Sequence, residues 1–225
     1  MHPSSKSSGL AHYSGGGRPS TPHRTDPPPE LLLRDELPDE EAEQLPPRYR
    51  ALVVVAAFGG LRWGELAGLR RKRVDLERGT VTVAEQLVEV NGAFSVGPPK
   101  SAAGRRTVVL PDAVVAALAH HLIHYTAQSP DALVFLSSQG KPLRRTNFNR
   151  RVWHPATRAA GVEGLRVHDL RHTAGTLATA AGGSLREVMH RLGHSTTVAA
   201  VRYQHVMAER DAAIARELNR LIEES

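Results

Sequence analysis

The sequence predicts a mainly α-helical domain with a small antiparallel β-sheet, an α+β fold. Two observations favour this class. Most of the chain after residue 45 carries apolar residues at helical spacing, between breaks formed by glycine or proline. One stretch, residues 80–110, is instead rich in β-branched residues and contains the hairpin signal Asn91-Gly92. Hydrophobic residues make up 40% of the 225 residues, enough for a core.

The first 36 residues differ from the rest in composition. They are rich in Pro, Gly and Ser, with one run of three glycines and one of three prolines. Such a segment buries too little surface to offset its chain entropy. We therefore expect a disordered tail over residues 1–36 and a folded domain over residues 37–225. A short helix capped by Asp39 begins this domain and ends before Pro46.

Two helices are expected next. Pro47 opens the first, in which ALVVVAAF (51–58) is apolar on every side and should therefore be central to the core. The pair Gly59-Gly60 ends it, and LRWGELAGL (61–69) is predicted as the second helix.

Three strands follow. TVTVAEQLVEV (80–90) and AFSV (93–96) form a hairpin, and RRTVVL (105–110) is the third strand. We expect all three to pair in one antiparallel sheet, with Lys100 in its Pro-rich turn.

From residue 111 onward the sequence is helical. The predicted helices span residues 111–126, 147–160, 169–181, 185–192 and 208–223. Ser184 and Glu187 make a capping box for the helix that starts at residue 185, and Gly193 suits its left-handed C-cap.

Charge and composition bound the function. Residues 1–45 contain four Lys/Arg and eight Asp/Glu, so the net charge of +6 leaves +10 on the remainder. That excess suits a polyanionic partner, although an ordinary basic protein is an alternative. The absence of cysteine excludes disulfides, thiolate metal sites and cysteine nucleophiles. The N-terminus lacks the apolar stretch of a signal peptide, and no apolar run approaches the ~20 residues of a membrane span, so we expect an intracellular protein.

Six side chains that can handle a phosphate follow one another along the chain. They are Arg62, Lys100, His168, Arg171, His194 and Tyr203. Two arginines can hold a phosphate by forked hydrogen bonds. A lysine and two histidines can move protons, and a tyrosine hydroxyl can attack phosphorus.

Each of these residues also has a structural interpretation. Arg62 can form a salt bridge with Glu65 one turn along, and Glu65 can equally hold the guanidinium in place. Lys100, Arg105 and Arg106 can be solvated loop charges, and we expect that for the two arginines.

The helix that carries the HxxR pair has a second histidine. His168 and Arg171 share a face because they are three residues apart, whereas His172 is expected to point elsewhere and to cap or pack. Tyr203 alone is more typical of a half-buried packing residue, since its hydroxyl needs a base or strong phosphate pairing before it attacks.

Other candidate sites are weaker. His120, His121 and His124 include a pair that could grip a metal, but no carboxylate is adjacent, so a solvated helix face is favoured. Trp63 and Trp153 are expected in the core or in a groove wall.

Taken in order, the motifs resemble the tyrosine recombinase (phage integrase) family over roughly residues 37–215. GLRWGEL resembles the first arginine motif, PPKSAAGRRTVVLP the lysine hairpin, and HDLRHT the HxxR box, and LGHS and the YQH segment follow. The resemblance assigns as catalytic the residues Arg62, Lys100, His168, Arg171, His194 and Tyr203. It also implies the integrase-like DNA breaking–rejoining catalytic fold.

The activity implied by the resemblance is site-specific DNA recombination or integration. Tyr203 attacks a phosphodiester and leaves a 3′-phosphotyrosine and a free 5′-hydroxyl. Arg62 and Arg171 neutralise the non-bridging oxygens. Lys100 protonates the departing 5′-oxygen as a general acid.

The two histidines complete the implied site. His168 assists proton transfer with the tyrosine, and His194 hydrogen-bonds the phosphate. Since the phosphotyrosine conserves the bond energy, neither ATP nor a metal is needed, and no cofactor is expected. The implied partners are double-stranded DNA, neighbouring protomers assembled on it, and accessory DNA-bending or directionality factors in a bacterial cytoplasm.

The chain departs from the family in one respect. Members usually carry a separate helical domain that clamps DNA, and residues 1–36 are too short to supply it, so the chain resembles a catalytic domain alone. The last helix, 208–223, resembles the segment that docks onto a neighbouring protomer, or it packs on its own domain. Two alternatives remain: a DNA-binding integrase relic without autonomous recombination, and a type IB topoisomerase, although the GLRWGEL and LGHS contexts favour the recombinase.

Overall fold

The computed structural model describes residues 45–195. Its helices are α1 (Pro47–Gly59), α2 (Trp63–Ala67), α3 (Asp112–His124), α4 (Arg145–Phe148), α5 (His154–Ala159), α6 (Val167–Ala180) and α7 (Leu185–Leu192). Its strands are β1 (Val74–Asp75), β2 (Thr80–Val83), β3 (Gln86–Val90), β4 (Ala93–Gly97) and β5 (Arg106–Val109). The α+β class is confirmed. The predicted N-terminal tail, the helix capped by Asp39 and the final helix lie outside the described residues.

Helix α1 is the centre of the core, as predicted. Pro47 occupies its first turn, where a missing N–H costs no hydrogen bond, and Gly60 ends it in the left-handed conformation at φ 67°. Val55 and Ala57 are fully buried. The helix packs against α3 and α6, so it needs apolar residues on all sides.

The strands form two sheets, and the single predicted sheet was wrong. One sheet has the order β1-β2-β5, and the other is the hairpin β3-β4. The chain leaves the first sheet after Val83, because β3 lies against α2. A Cβ on Gly64 would come within 2.9 Å of the Leu87 carbonyl oxygen, and one on Gly68 within 2.7 Å of the Leu87 nitrogen. This close backbone approach requires glycine and draws β3 away from β2.

The helix predicted over 147–160 is continuous but not uniform. A π-helical segment, Asn149–Trp153, joins α4 to α5. Within it Trp153 is buried and donates its indole N–H to the Leu165 carbonyl at 2.7 Å.

Helices α6 and α7 start at capping boxes. Helix α6 begins two residues earlier than predicted, because the Asp169 carboxylate accepts the Arg166 backbone N–H at 2.8 Å. The box predicted at the start of α7 is confirmed, since Ser184 and Glu187 bond reciprocally. Gly193 ends α7 at φ 62°, also as predicted. Within residues 45–195, no helix has the length and apolar character that a bilayer crossing requires.

Candidate active site

The junction between α1 and α2 places Arg62. Helix α2 is shorter than the predicted 61–69, because Arg62 is extended (φ −72°, ψ 156°) and serves as its N-cap. Glu65 accepts the Arg62 backbone N–H at 2.8 Å and its Nη1 at 2.9 Å. Glu65 therefore forms the predicted salt bridge with Arg62, and the same contact orients the Arg62 guanidinium, so both interpretations given above hold. The Arg62 side chain remains 28% exposed and is open to solvent on one side.

Glu65 is shared with a second arginine, Arg106. The Arg106 side chain is fully buried and binds both carboxylate oxygens of Glu65, at 3.0 and 3.3 Å. The expectation that Arg106 is a solvated loop charge was wrong, whereas Arg105 is exposed as predicted. Burial raises the pKa of Glu65, but hydrogen bonds and charge from Arg106 and Arg62 outweigh it, so the pKa is lowered and the carboxylate stays ionised.

Arg171 links the end of α7 to the segment that follows α1 through hydrogen bonds to both. Its side chain is buried, and it donates Nη1 to the Gly60 carbonyl and Nη2 to the Leu192 carbonyl. Arg62 donates Nη2 to the next carbonyl, that of Gly193, at 2.9 Å. Two arginines that are distant in sequence therefore bind consecutive carbonyls of one turn.

His194 follows that turn. Its backbone N–H binds the Met189 carbonyl at 2.9 Å, and its Nδ1 is buried without a hydrogen-bond partner among residues 45–195. Desolvation, followed by the positive charges of Arg171 and Arg62, lowers the pKa of His194 to about 4. The imidazole is therefore neutral at pH 7.

Lys100 and His168 line the same cavity as Arg62, a groove of about 720 Å³. Trp63 forms part of its wall, which agrees with one of the two predicted placements. Lys100 is exposed at the tip of the loop between β4 and β5. Because the groove is open and carries ammonium and guanidinium groups, it can accept an extended anion.

His168 and His172 lie on one side of α6. Their ring centroids are 5.1 Å apart and the rings are nearly perpendicular, so the expectation that His172 points elsewhere was wrong, although it does pack. Partial desolvation first, and then the positive charges of His172 and Arg171, lower the pKa of His168. Its neutral form is favoured, as for a residue that accepts a proton.

Five of the six sequence-predicted residues therefore meet in one region. Arg62, Lys100 and His168 line the cavity, and Arg171 and His194 are linked to it through the turn at the end of α7. Tyr203 lies outside the described residues.

The sequence did not predict that Glu65, besides binding Arg62, also binds a buried second arginine, Arg106. A signal for Arg106 was present. Arg106 and Val108 alternate along β5 with exposed residues and are both buried, as is Leu110 directly after the strand. The period-2 pattern therefore placed Arg106 on the buried face of the strand.

The histidines of α3 are not a uniform surface. His121 is buried and its Nε2 lies 2.8 Å from the Val134 carbonyl, so a solvated helix face was wrong for this residue. His120 and His124 are exposed, with ring centroids 4.2 Å apart. Within the part of the chain that the structure describes, no three His, Asp or Glu side chains are grouped as metal ligands.

Comparison with known proteins gives one consistent family. The model of the phage integrase family matches residues 35–210. A Mycobacterium tuberculosis protein named as a prophage phiRv2 integrase is 40% identical over 191 residues, covering 84% of this chain and 50% of that protein. The integrase of Mycobacterium phage D29 is 34% identical over 203 residues, covering 85% of this chain and 52% of that protein. The chain spans about half the length of the curated relatives it matches.

Solved structures agree on the fold. The Tn1549 transposon integrase, solved in complex with circular intermediate DNA, superposes with a TM-score of 0.67 at 21% identity, covering 81% of this chain and 63% of that one. At this identity the likeness concerns the fold alone.

Proposed function

The chain belongs to the phage integrase family, and on that premise we propose that it cleaves and rejoins double-stranded DNA in site-specific recombination. The intermediate is a 3′-phosphotyrosine. The integrases among its relatives support this reaction class. The net positive charge supports DNA as the substrate.

One observation carries the proposal. Arg62 and Arg171 donate to the two consecutive carbonyls that precede His194, and the cavity beside Arg62 also takes Lys100 and His168. Three cationic or titratable side chains from three separate segments thus line a space open to a backbone phosphate, and Arg171 and His194 adjoin it through the turn at the end of α7. Cationic side chains that are already in place and partly shielded from water stabilise negative charge that develops on the phosphate.

In the cleavage step the Tyr203 hydroxyl oxygen forms a bond to phosphorus, and the bond from phosphorus to the 5′-oxygen breaks. His168, whose lowered pKa favours the neutral base, takes the tyrosine proton. Lys100 gives a proton to the departing 5′-oxygen. Arg62 and Arg171 neutralise the non-bridging oxygens as charge builds in the phosphorane.

His194 serves as a neutral hydrogen-bond donor to the phosphate. A pKa of about 4 means that its ring carries one N–H at pH 7 and no charge. A neutral donor orients the phosphate without adding repulsion against the two adjacent arginines.

The phosphotyrosine conserves the energy of the broken bond, so a 5′-hydroxyl from a second DNA reverses the step without ATP or a metal. We further propose that residues 37–225 are the catalytic domain and residues 1–36 a tail. Protomers assemble side by side on the DNA in the cytoplasm, where accessory DNA-bending or directionality factors act with them.

Trapping on nicked DNA tests the proposal. Duplexes are first enriched from a randomised library for binding to Tyr203→Phe. They are then nicked, so that cleavage releases a short fragment that diffuses away and cannot be rejoined. Wild type should give a covalent protein–DNA adduct on a denaturing gel, and Tyr203→Phe should give none. Tyr125→Phe removes the hydroxyl of a half-buried tyrosine that does not line the cavity, and it should trap as wild type does.

Two outcomes would contradict the proposal in different ways. Equal trapping by wild type and Tyr203→Phe removes Tyr203 as the nucleophile. Specific DNA binding without an adduct from wild type indicates a binding protein that no longer cleaves.

A further inference from the structure

We propose that Arg106 is a positioning residue for Lys100: its buried guanidinium fixes the loop that presents the Lys100 ammonium to the leaving oxygen. The inference rests on the proposed function, because it takes Lys100 as the general acid. It adds a residue that itself touches neither phosphate nor proton.

The first step is the set of hydrogen bonds that Arg106 donates. Its Nη atoms bind Glu65, its Nη1 also binds the Gly104 carbonyl at 2.9 Å, and its Nε binds the Arg191 carbonyl at 2.7 Å. The side chain is 0% exposed, and a guanidinium is a rigid planar fork. Since Glu65 and Arg191 hold the fork on two sides, the fork dictates where the Gly104 carbonyl lies.

The second step leads from Gly104 to Lys100. A Cβ on Gly104 would come within 2.5 Å of the Pro99 Cβ, so the two residues are in close contact. Pro99 is buried, and the next residue, Lys100, is exposed. The turn is closed by the Gly104 N–H, which binds the Ser101 carbonyl at 2.9 Å. A continuous series of contacts therefore runs from the Glu65 carboxylate to the backbone of Lys100.

The third step concerns the turn that precedes His194. A Cβ on Gly193 would lie 2.9 Å from both Arg106 Nη1 and the Ala103 carbonyl oxygen. Arg106 thus lies between the Lys100 loop and the Gly193 turn, and it sets their separation. The loop that carries Lys100 and the turn that precedes His194 therefore both contact the Arg106 side chain.

This arrangement predicts a defect confined to one chemical event. A general acid contributes about 10²–10⁴ in rate only when it reaches the leaving atom, and small displacements remove much of that. If the loop shifts, Lys100 keeps its charge but loses its reach. The bonds of Arg62 to Glu65 and Gly193, and those of Arg171 to Gly60 and Leu192, do not involve Arg106, so nucleophilic attack and phosphate binding should change little.

Two variants separate positioning from folding. Arg106→Lys keeps a cation beside Glu65 but cannot bind Gly104 and Arg191 at once. Gly104→Ala leaves the buried ion pair intact and pushes against Pro99. Gly97→Ala is the matched control, since it makes the same change at the end of β4, just before the loop that holds Gly104, with no atom within 4 Å of the new Cβ.

The readout is single-turnover cleavage of two nicked duplexes, one with the normal phosphodiester and one with a 5′-bridging phosphorothiolate. Sulfur leaves without protonation, so the second substrate needs no general acid. The cleavage rates of Arg106→Lys and Gly104→Ala on the phosphodiester should fall about 10–100-fold, which is part of the full general-acid contribution. Their rates on the phosphorothiolate should lie within about threefold of the wild-type rate. Neither should slow cleavage further in a Lys100→Ala background, and Gly97→Ala should match wild type on both substrates.

Equal losses on both substrates, or full additivity with Lys100→Ala, would overturn the inference and leave the proposed function standing. An adduct from neither substrate with wild type would overturn both. If Arg106→Lys does not fold, Gly104→Ala decides the question through its cleavage rate relative to wild type on each of the two substrates.

Discussion

The guanidinium of Arg62 donates a 2.9 Å hydrogen bond to the Gly193 carbonyl, 131 residues further along the chain. Arg171 binds the preceding carbonyl, so this turn is held by arginine side chains and not by a sheet ladder. The geometry of the candidate site therefore depends on the backbone at Gly193 as much as on the charged groups themselves.

Gly193→Ala should damage both stability and cleavage. Gly193 has φ +62°, and an added Cβ would lie 2.9 Å from the Ala103 carbonyl oxygen and from Arg106. The left-handed conformation costs an alanine about 1–2 kcal/mol, and the contact adds to that cost. We expect the free energy of unfolding in urea to fall by roughly 3 kcal/mol, with little adduct formed.

Gly161→Ala is the control for the backbone cost alone. Gly161 has φ +70°, but no atom lies within 4 Å of its added Cβ. The free energy of unfolding of Gly161→Ala should therefore fall by only about 1–2 kcal/mol. Equal losses at the two glycines would mean that Gly193 is not closely packed against the Lys100 loop.

Glu65→Gln should be strongly destabilising. The carboxylate is 1% exposed and receives hydrogen bonds from both Arg62 and Arg106. Removing its charge leaves a buried guanidinium without a counter-charge, a change that typically costs about 3–5 kcal/mol. Glu163→Gln is the matched control, since the Arg158–Glu163 pair is 71% and 69% exposed and should contribute less than about 1 kcal/mol. Similar values for the two substitutions in urea unfolding would contradict the buried pairing.

The elements that the sequence predicts well are those with local signals. Helix α1 has proline at its start and glycine at its end, and the capping box of α7 lies within four residues. The spacing of His168 and Arg171 similarly fixes their common helix without any tertiary information.

The errors arise where tertiary contacts decide. Nothing local to residues 80–90 shows that Gly64 and Gly68 will draw β3 out of the first sheet. The polar partner of the buried His121 ring is the Val134 carbonyl, which belongs to another segment thirteen residues away. The resemblance predicts the charged residues of the candidate site, but it does not predict the buried contacts that hold them.

Acid should destabilise the fold through His194. The pKa of His194 in the folded protein is about 4, below its usual value of 6.5, so the unfolded chain binds more protons between these two pH values. Stability is therefore fully present above about pH 6.5 and is lost as the pH falls toward 4. Allowing for solvent screening of this half-buried ring, we expect a contribution of about 1–2 kcal/mol between pH 7 and pH 4.5.

His194→Gln isolates that contribution because an amide does not titrate. Urea unfolding at pH 7 and pH 4.5 should show a smaller loss for the variant than for wild type. NMR titration of the His194 ring provides a direct check, with a midpoint expected near about 4. The same pH dependence in both proteins would show that the His194 ring is solvated as in the unfolded chain.

The salt dependence of DNA binding should identify which cations contact phosphate. Each neutralised phosphate contributes about −0.9 to the slope of log affinity against log salt. Arg62 lines the cavity, so Arg62→Ala should make the slope shallower by about 0.9 for one lost phosphate contact. Lys72 does not line that cavity and pairs with Asp131, so Lys72→Ala should leave the slope unchanged. Both variants would be made in a Tyr203→Phe background, so that fluorescence anisotropy measures binding without cleavage. An equal change of slope for Arg62→Ala and Lys72→Ala would mean that DNA binding depends on the overall charge of the protein and that the phosphates do not bind at the cavity.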